Sequence, residues 1–180
     1  HRDFRGFAGR VSGGVFKVGD KVKSLPSGFV STIKTIELNG EKFEEAFTPM
    51  SVTITLTEEI DSSRGDMIVR ENNIPEVSQD LNVLVVWMSI VPLLSKTKVI
   101  IRHTTNECIA MVNELKYKID INNLHRIQDI QEVAMNEFAK ISIRTSKQIF
   151  YDVYMKNRLT GSIIIIDMLT NETIGAGMII

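Results

Sequence analysis

One cysteine, Cys108, stands in 180 residues. No internal disulfide can form, and no thiolate cluster is available to a metal. The histidines are few as well: His1, His103 and His125 fall in no ligand spacing, so no metal site is expected. No Gly-Lys-Ser/Thr occurs anywhere, which excludes a phosphate loop. Neither sign of charge dominates, with 21 Lys and Arg against 22 Asp and Glu. That balance argues against a protein that grips nucleic acid mainly through phosphates. Aromatic residues make up 7% and are not interleaved with basic ones, so no single-strand binding groove is indicated. Apolar runs such as Ser162–Ile166 are too short to span a bilayer, and no signal-peptide pattern opens the chain. A reducing cytoplasm is the expected compartment, with no membrane association. Cys108, among Ile109, Ala110 and Met111, reads as a small hydrophobe rather than a nucleophile.

What is present is β-forming sequence punctuated by turns. Gly6, Gly9, Gly14 and Gly19 recur between Phe4 and Val22, with Val11, Val15, Phe16 and Val18 among them. Each glycine is expected to supply a backbone shape or a close approach. The stretch reads as the opening hairpin of a small barrel, with Lys17-Val18-Gly19-Asp20 turning into the next strand. No helix N-terminus follows the glycines, so they do not cradle a phosphate.

Further along, Lys21–Leu25 reads as a strand, Pro26-Ser27-Gly28 as a turn, and Phe29–Leu38 as a second strand. Asn39-Gly40 is a type I′ hairpin signal, because both central positions of that turn need positive φ. Glu41–Phe47 reads as a charged return at the barrel rim. Strict alternation over Ser51–Thr57 places Val52, Ile54 and Leu56 on one buried face. Glu58–Asp66 is a polar loop before the strand Met67–Arg70, and its acids lack the regular spacing of a cation loop.

Glu71–Asp80 has no periodic apolar face and is the expected domain boundary. It divides the chain into a barrel over 1–75 and a barrel over 76–180. Leu81–Met88 is nearly all apolar and suggests a strand buried on both sides. Lys96–Thr104 is a further strand, and Glu107–Ile121 holds one or two more. A polar loop spans 122–130. Glu132–Ile143 has some helical spacing, but Ala139, Ile141 and Ile143 alternate and favour a strand. Ser162–Asp167 and Gly175–Ile180 are the last strands, the latter packed closely at its glycines. The fold class is all-β: two consecutive small barrels.

The C-terminal constellation is the most distinctive. It runs Asp152-x-Tyr154-x-x-Asn157-Arg158-x-Thr160-Gly161, then Thr170-Asn171-x-Thr173-x-Gly175-Ala176-Gly177-Met178. Asn157 and Gly161 suit a turn, and Arg158 can offer a forked donor to a carboxylate or carbonyl. Asp152, Asp167 and Asn171 are its candidate acceptors. A polar network fixing loops at one barrel end is the favoured reading, ahead of substrate binding.

Two resemblances follow from these motifs. Arg5-Gly6-x-x-Gly9-x-Val11-x-x-Gly14-x-x-x-x-Gly19-Asp20-x-Val22 resembles the second domain of translation-type GTPases. Asp3–Gly9, Val85-Val86-Trp87-Met88, Asn123-Leu124-His125-Arg126 and the C-terminal constellation together resemble the GTPase (large) subunit family of sulfate adenylyltransferases, over Asp3 to about Ile179. That resemblance implies domain II-like and domain III-like barrels from a longer chain. It also implies GTP and Mg bound by an absent GTPase domain, and a small catalytic subunit that makes adenylyl sulfate and pyrophosphate from sulfate and ATP. The implied role is coupling: the barrels relay the nucleotide state to the partner. No catalytic, GTP-binding or metal residue is then expected here. Arg5, Gly6, Gly9, Arg64, Asp66, Asn157, Arg158, Thr160 and Gly161 are the candidate interface or loop-fixing residues. Two alternatives stay open: a barrel pair like those of elongation factors, binding tRNA or another RNA, and a scaffold pair with no coupling role.

Overall fold

The computed structural model describes residues 5–180, in which every regular element is a strand. Among the described residues, no helix is long and apolar enough to cross a membrane. The chain divides into two units, 1–75 and 76–180.

The first unit contains β1 (Phe7–Arg10), β2 (Val15–Lys17), β3 (Lys21–Leu25), β4 (Val30–Leu38), β5 (Glu41–Phe43), β6 (Glu45–Phe47), β7 (Ser51–Leu56) and β8 (Met67–Arg70). Its main sheet runs β1-β7-β4-β3-β8, with β5 also on β4, and β2 and β6 form a separate ribbon. All of these pairings are antiparallel. Val22, Ile33, Ile36 and Val52 from the sheet share one core with Ala46 of the ribbon, and Ile54 and Leu56 pack against it. The ribbon thereby fills the side of the barrel that the main sheet leaves open.

The opening stretch is not a hairpin. β1 pairs with β7 over Phe7↔Ile54 to Arg10↔Ser51, and β2 pairs with β6. Each strand instead takes a partner distant in sequence: the alternating strand β7 for β1 and the short return β6 for β2. Gly14 and Gly19 do adopt positive φ, at 70° and 89°. Gly9 neither does so nor packs closely: a Cβ there would meet nothing within 4 Å. The 17–20 turn is closed by Asp20 N donating to Lys17 O, while Lys17 N donates to the Asp20 carboxylate. Asn39 and Gly40 have φ of 53° and 86°, the type I′ geometry that joins β4 to β5.

The second unit contains β9 (Glu76–Trp87), β10 (Leu93–Leu94), β11 (Lys98–His103), β12 (Asn106–Ile119), β13 (Arg126–Ile127), β14 (Glu132–Val133), β15 (Phe138–Tyr151), β16 (Ser162–Ile166) and β17 (Thr173–Ile179). The order β11-β16-β17-β9-β15-β12 returns to β11, so six antiparallel strands close into a ring. β13 extends β12, and β10 with β14 makes a small ribbon.

Two expectations change here. Irregular chain covers only 71–75, since β9 already begins at Glu76 and runs through Asp80 without a break. That segment lacks an apolar face because it borders solvent, yet it ladders with Ile149–Tyr151 of β15. Leu81–Trp87 is also not buried on both sides. Leu81, Val83, Val85 and Trp87 point into the ring, while Asn82 is exposed and Leu84 and Val86 are half-buried. Residues 106–119 form a single strand, which β-bulges near Val112–Glu114 and Leu115–Tyr117 bend around the barrel.

Ring closure limits the interior to small-against-large packing. Trp87 stands opposite Gly175, and Val85 opposite Gly177 and Ala139. A Cβ at Gly177 would sit 2.4 Å from Val83 Cγ1 and 3.1 Å from Ile163 Cγ1. Gly177→Ala therefore forces overpacking, with an expected loss of about 1–3 kcal/mol. A fall in the urea midpoint at unchanged slope will register it; an unchanged midpoint would mean the interior is loosely filled.

Candidate functional site

The first part of the C-terminal constellation folds into one loop, 152–161, between β15 and β16 at one end of the ring, while its second part forms the turn before β17 and β17 itself. Gly161 makes the loop compact. A Cβ there would lie 2.4 Å from Tyr154 Cα and 2.7 Å from Asn157 O. Gly161 N donates to Asn157 O at 2.8 Å, and the Asn157 side-chain oxygen accepts from Leu159 N at 3.0 Å. Tyr154 N donates to Ile179 O, and Ile179 N to Gly161 O, which fastens the loop to β17.

Asp152 is the centre of its polar network. One carboxylate oxygen accepts from Thr160 Oγ1 at 2.9 Å, the other from Lys156 Nζ at 2.7 Å. That second bond holds the Lys156 ammonium above its ordinary pKa. Thr160, itself buried, gives its carbonyl to His103 Nε2 at 2.7 Å. His103 closes β11 and is only 2% exposed. Its burial disfavours the charged ring and lowers the pKa, against a smaller opposite pull from the Thr160 carbonyl. The neutral ring donates its Nε2 proton to that carbonyl. The loop is thus clamped from below by a residue 57 positions away.

Arg158 does not fork onto a carboxylate. Its guanidinium lies 6.0 Å from the centroid of the Tyr154 ring, because Thr160 and Lys156 already occupy Asp152. Asp167 and Asn171 lie beyond the far end of β16. There Asp167 accepts from Leu169 N and Thr170 N, which lowers its carboxyl pKa. His103 and Lys156 went unrecognised as members of this network. The Asp152-x-x-x-Lys156 spacing was a usable signal, whereas nothing local to His103 points to Thr160.

In the first unit, Arg5 Nη2 lies 2.5 Å from Asp61 Oδ1 and Nη1 3.7 Å from Glu59 Oε2. These exposed pairs tie the approach to β1 to the loop after β7 and are worth little singly. Gly6 is half-buried just before β1. Asp66 and Ser63 exchange bonds: Ser63 N donates to the Asp66 carboxylate at 2.8 Å and Asp66 N to Ser63 O at 3.0 Å. Gly65, at φ 102°, lets that loop turn. Arg64 is exposed and has no ion-pair partner among the described residues. No group of three or more His, Cys, Asp or Glu able to hold a metal occurs among the described residues. Burial pushes the Cys108 thiol above its ordinary pKa, which suits a core residue and not a nucleophile.

Two successive antiparallel barrels, the second closed, define a tandem-barrel module of the translation-factor kind. The fold matches the translation elongation factor SelB of Methanococcus maripaludis in its apo form at a TM-score of 0.76, over 97% of this chain and 38% of that one, at 18% identity. The chain belongs to the family described as GTP-eEF1A C-terminal domain-like, whose model matches residues 80–180. More particularly, it is 42% identical over 178 residues to sulfate adenylyltransferase subunit 1 of Bacteroides fragilis, covering 99% of this chain and 37% of that protein. It is 44% identical to the subunit 1 of Francisella tularensis (strain WY96-3418), again over 99% of the chain and 38% of the relative. The chain therefore spans under two fifths of the length of these relatives.

The His103 clamp gives a pH dependence of known sign. The native state holds this ring neutral, so the unfolded chain binds the proton more readily, and stability falls as pH drops below about 6.5. Urea titrations at neutral and mildly acidic pH will show a larger acid loss in the native protein than in His103→Gln. An equal loss in both would remove His103 from the account.

Proposed function

We propose that this chain is the tandem-barrel portion of the large subunit of a cytoplasmic sulfate adenylyltransferase, and that it couples GTP hydrolysis to adenylyl sulfate synthesis. The observation that carries the reading is identity of about two residues in five along 99% of the chain to proteins named subunit 1 of that enzyme. GTP and Mg would be held by a nucleotide-binding domain of the longer protein. Adenylyl transfer from ATP to sulfate would take place on a small catalytic subunit. The two barrels would contribute surfaces and stiffness, moving as bodies when the nucleotide state changes.

The 152–161 loop suits such a surface. It is rigid, anchored through Asp152, Thr160 and His103, and it leaves the exposed Arg158 guanidinium 6.0 Å from the Tyr154 ring centroid with no ion-pair partner among the described residues. A planar guanidinium presented in this way is a good anchor for a partner's carboxylate or carbonyl. Arg5, Gly6, Gly9, Arg64 and Asp66 would serve the first unit in the same sense, as interface or loop-fixing residues.

Co-purification with the small subunit tests this reading. The chain is expected to retain the small subunit, and Arg158→Ala to weaken that retention about tenfold without changing thermal unfolding. Tight GTP binding by these 180 residues in calorimetry would contradict the reading. A salt-dependent tRNA shift at low micromolar protein would transfer it to RNA binding.

A further inference from the structure

The sequence holds a single Asn-Gly step, Asn39-Gly40, and it forms the tip of the β4–β5 hairpin. An asparagine before a glycine is set up to react with its own backbone. The side-chain carbon Cγ and the next main-chain nitrogen close a five-membered ring, and glycine has no side chain to hinder the approach. Two reactive groups held in one short segment meet without a bimolecular encounter.

Both groups are open at this tip. Asn39 and Gly40 are exposed, and neither the Asn39 amide nor Gly40 N is hydrogen-bonded within the described residues. A Cβ added at Gly40 would meet nothing within 4 Å, so no neighbour shields the nitrogen. Asn39 also lines an open groove of about 450 Å³ with Arg10, Glu37 and Ser51, which admits water to its side chain. The other asparagines are placed differently. None precedes a glycine. Asn122 and Asn123 donate their side-chain amides to Asp120, and Asn157 Oδ1 accepts from Leu159 N.

The turn itself is the remaining restraint. Ring closure rotates the chain out of the type I′ arrangement, with its φ of 53° at Asn39 and 86° at Gly40, so the tip opens first. That opening is local. β5 has three residues, all exposed, on β4, and a segment with so little buried surface opens without the rest.

We propose that Asn39 is a site of spontaneous deamidation, through which this hairpin changes charge and register with age. Gly40 N gives up its proton and bonds to Asn39 Cγ; the Cγ–Nδ2 bond breaks, and Nδ2 leaves with that proton as ammonia. Water then opens the resulting succinimide. Cleavage between the nitrogen and Cγ restores the original backbone with aspartate at 39. Cleavage between the nitrogen and the main-chain carbonyl carbon leaves isoaspartate. Aspartate suits a type I′ turn as asparagine does, so the hairpin persists with one more negative charge in the groove that Arg10 shares. Isoaspartate runs the main chain through Cβ and adds an atom to it. A two-residue turn cannot absorb that atom and keep Leu38 opposite Glu41, so β5 parts from β4.

Incubation of the 180-residue chain in warm, mildly alkaline buffer, then digestion and mass spectrometry, tests this. Two products of equal mass are expected in the peptide holding Asn39, accumulating in proportion to hydroxide and ahead of any other asparagine. Denaturing urea is expected to raise the rate by no more than about tenfold, since local opening already exposes the step. Hydrogen exchange separates the two consequences. The β5 amides are expected to exchange faster in the isoaspartate form than in the parent, and at the parent's rate in Asn39→Asp, which carries the charge alone. Conversion at residue 39 only after urea has unfolded the chain overturns the proposal, because the turn then protects the step. Earlier conversion at another asparagine does so too. Equal exchange of the β5 amides in all three forms overturns the change of register.

Discussion

Closing six strands into a ring leaves a fixed volume inside, and that volume governs much of the second unit. The ring has no free edge, so each of its strands must present inward residues whose sizes sum correctly at each level. This is why Trp87 faces Gly175 and Val85 faces Gly177. It is also why Leu84 and Val86, though apolar, stay only half-buried between the buried Val83, Val85 and Trp87 of β9. The same closure brings β11 beside β16, placing His103 under Thr160. The polar loop at that end inherits its rigidity from the ring.

The first unit solves the same problem differently. Its main sheet stops at β1 and β8, and the ribbon β2–β6 completes the enclosure by contributing Ala46 and Phe16 to the core. Edges remain there, and charged residues guard them: Arg70 on β8 pairs with Asp20, and Lys17 on β2 with Glu45. The two units, successive in sequence, thus differ in how completely the strands of each satisfy their own hydrogen bonds.

Local signals were legible in the sequence and long-range ones were not. The Asn39-Gly40 turn, the alternation of β7 and the glycines of β17 each announce their geometry within a few residues, because turn chemistry and side-chain period are local properties. Partner choice is not local. Nothing in Phe7–Arg10 says that its neighbour is β7 rather than β2, and nothing in His103 says that its acceptor is Thr160. β9 misled in both directions: its first five residues are polar enough to pass for a linker, and its last seven apolar enough to pass for a strand buried on two sides. In the candidate site, Asn157 and Gly161 could be read as turn-formers from their types alone. The lodging of Arg158 on Tyr154 depends on Lys156 and Thr160 having claimed Asp152 first.

The place of β17 in the ring carries a consequence for how the unit is made. It is the last strand in the chain, yet it sits between β16 and β9, the first strand of its barrel. Until Thr173–Ile179 inserts, both neighbours present unsatisfied backbone groups, and the ring is a curved sheet with two adhesive borders. Assembly of the barrel is therefore slow to complete by topology, since its first and final strands must meet after everything between them has been ordered. A chain held at that point is the form most at risk of capture by another such border.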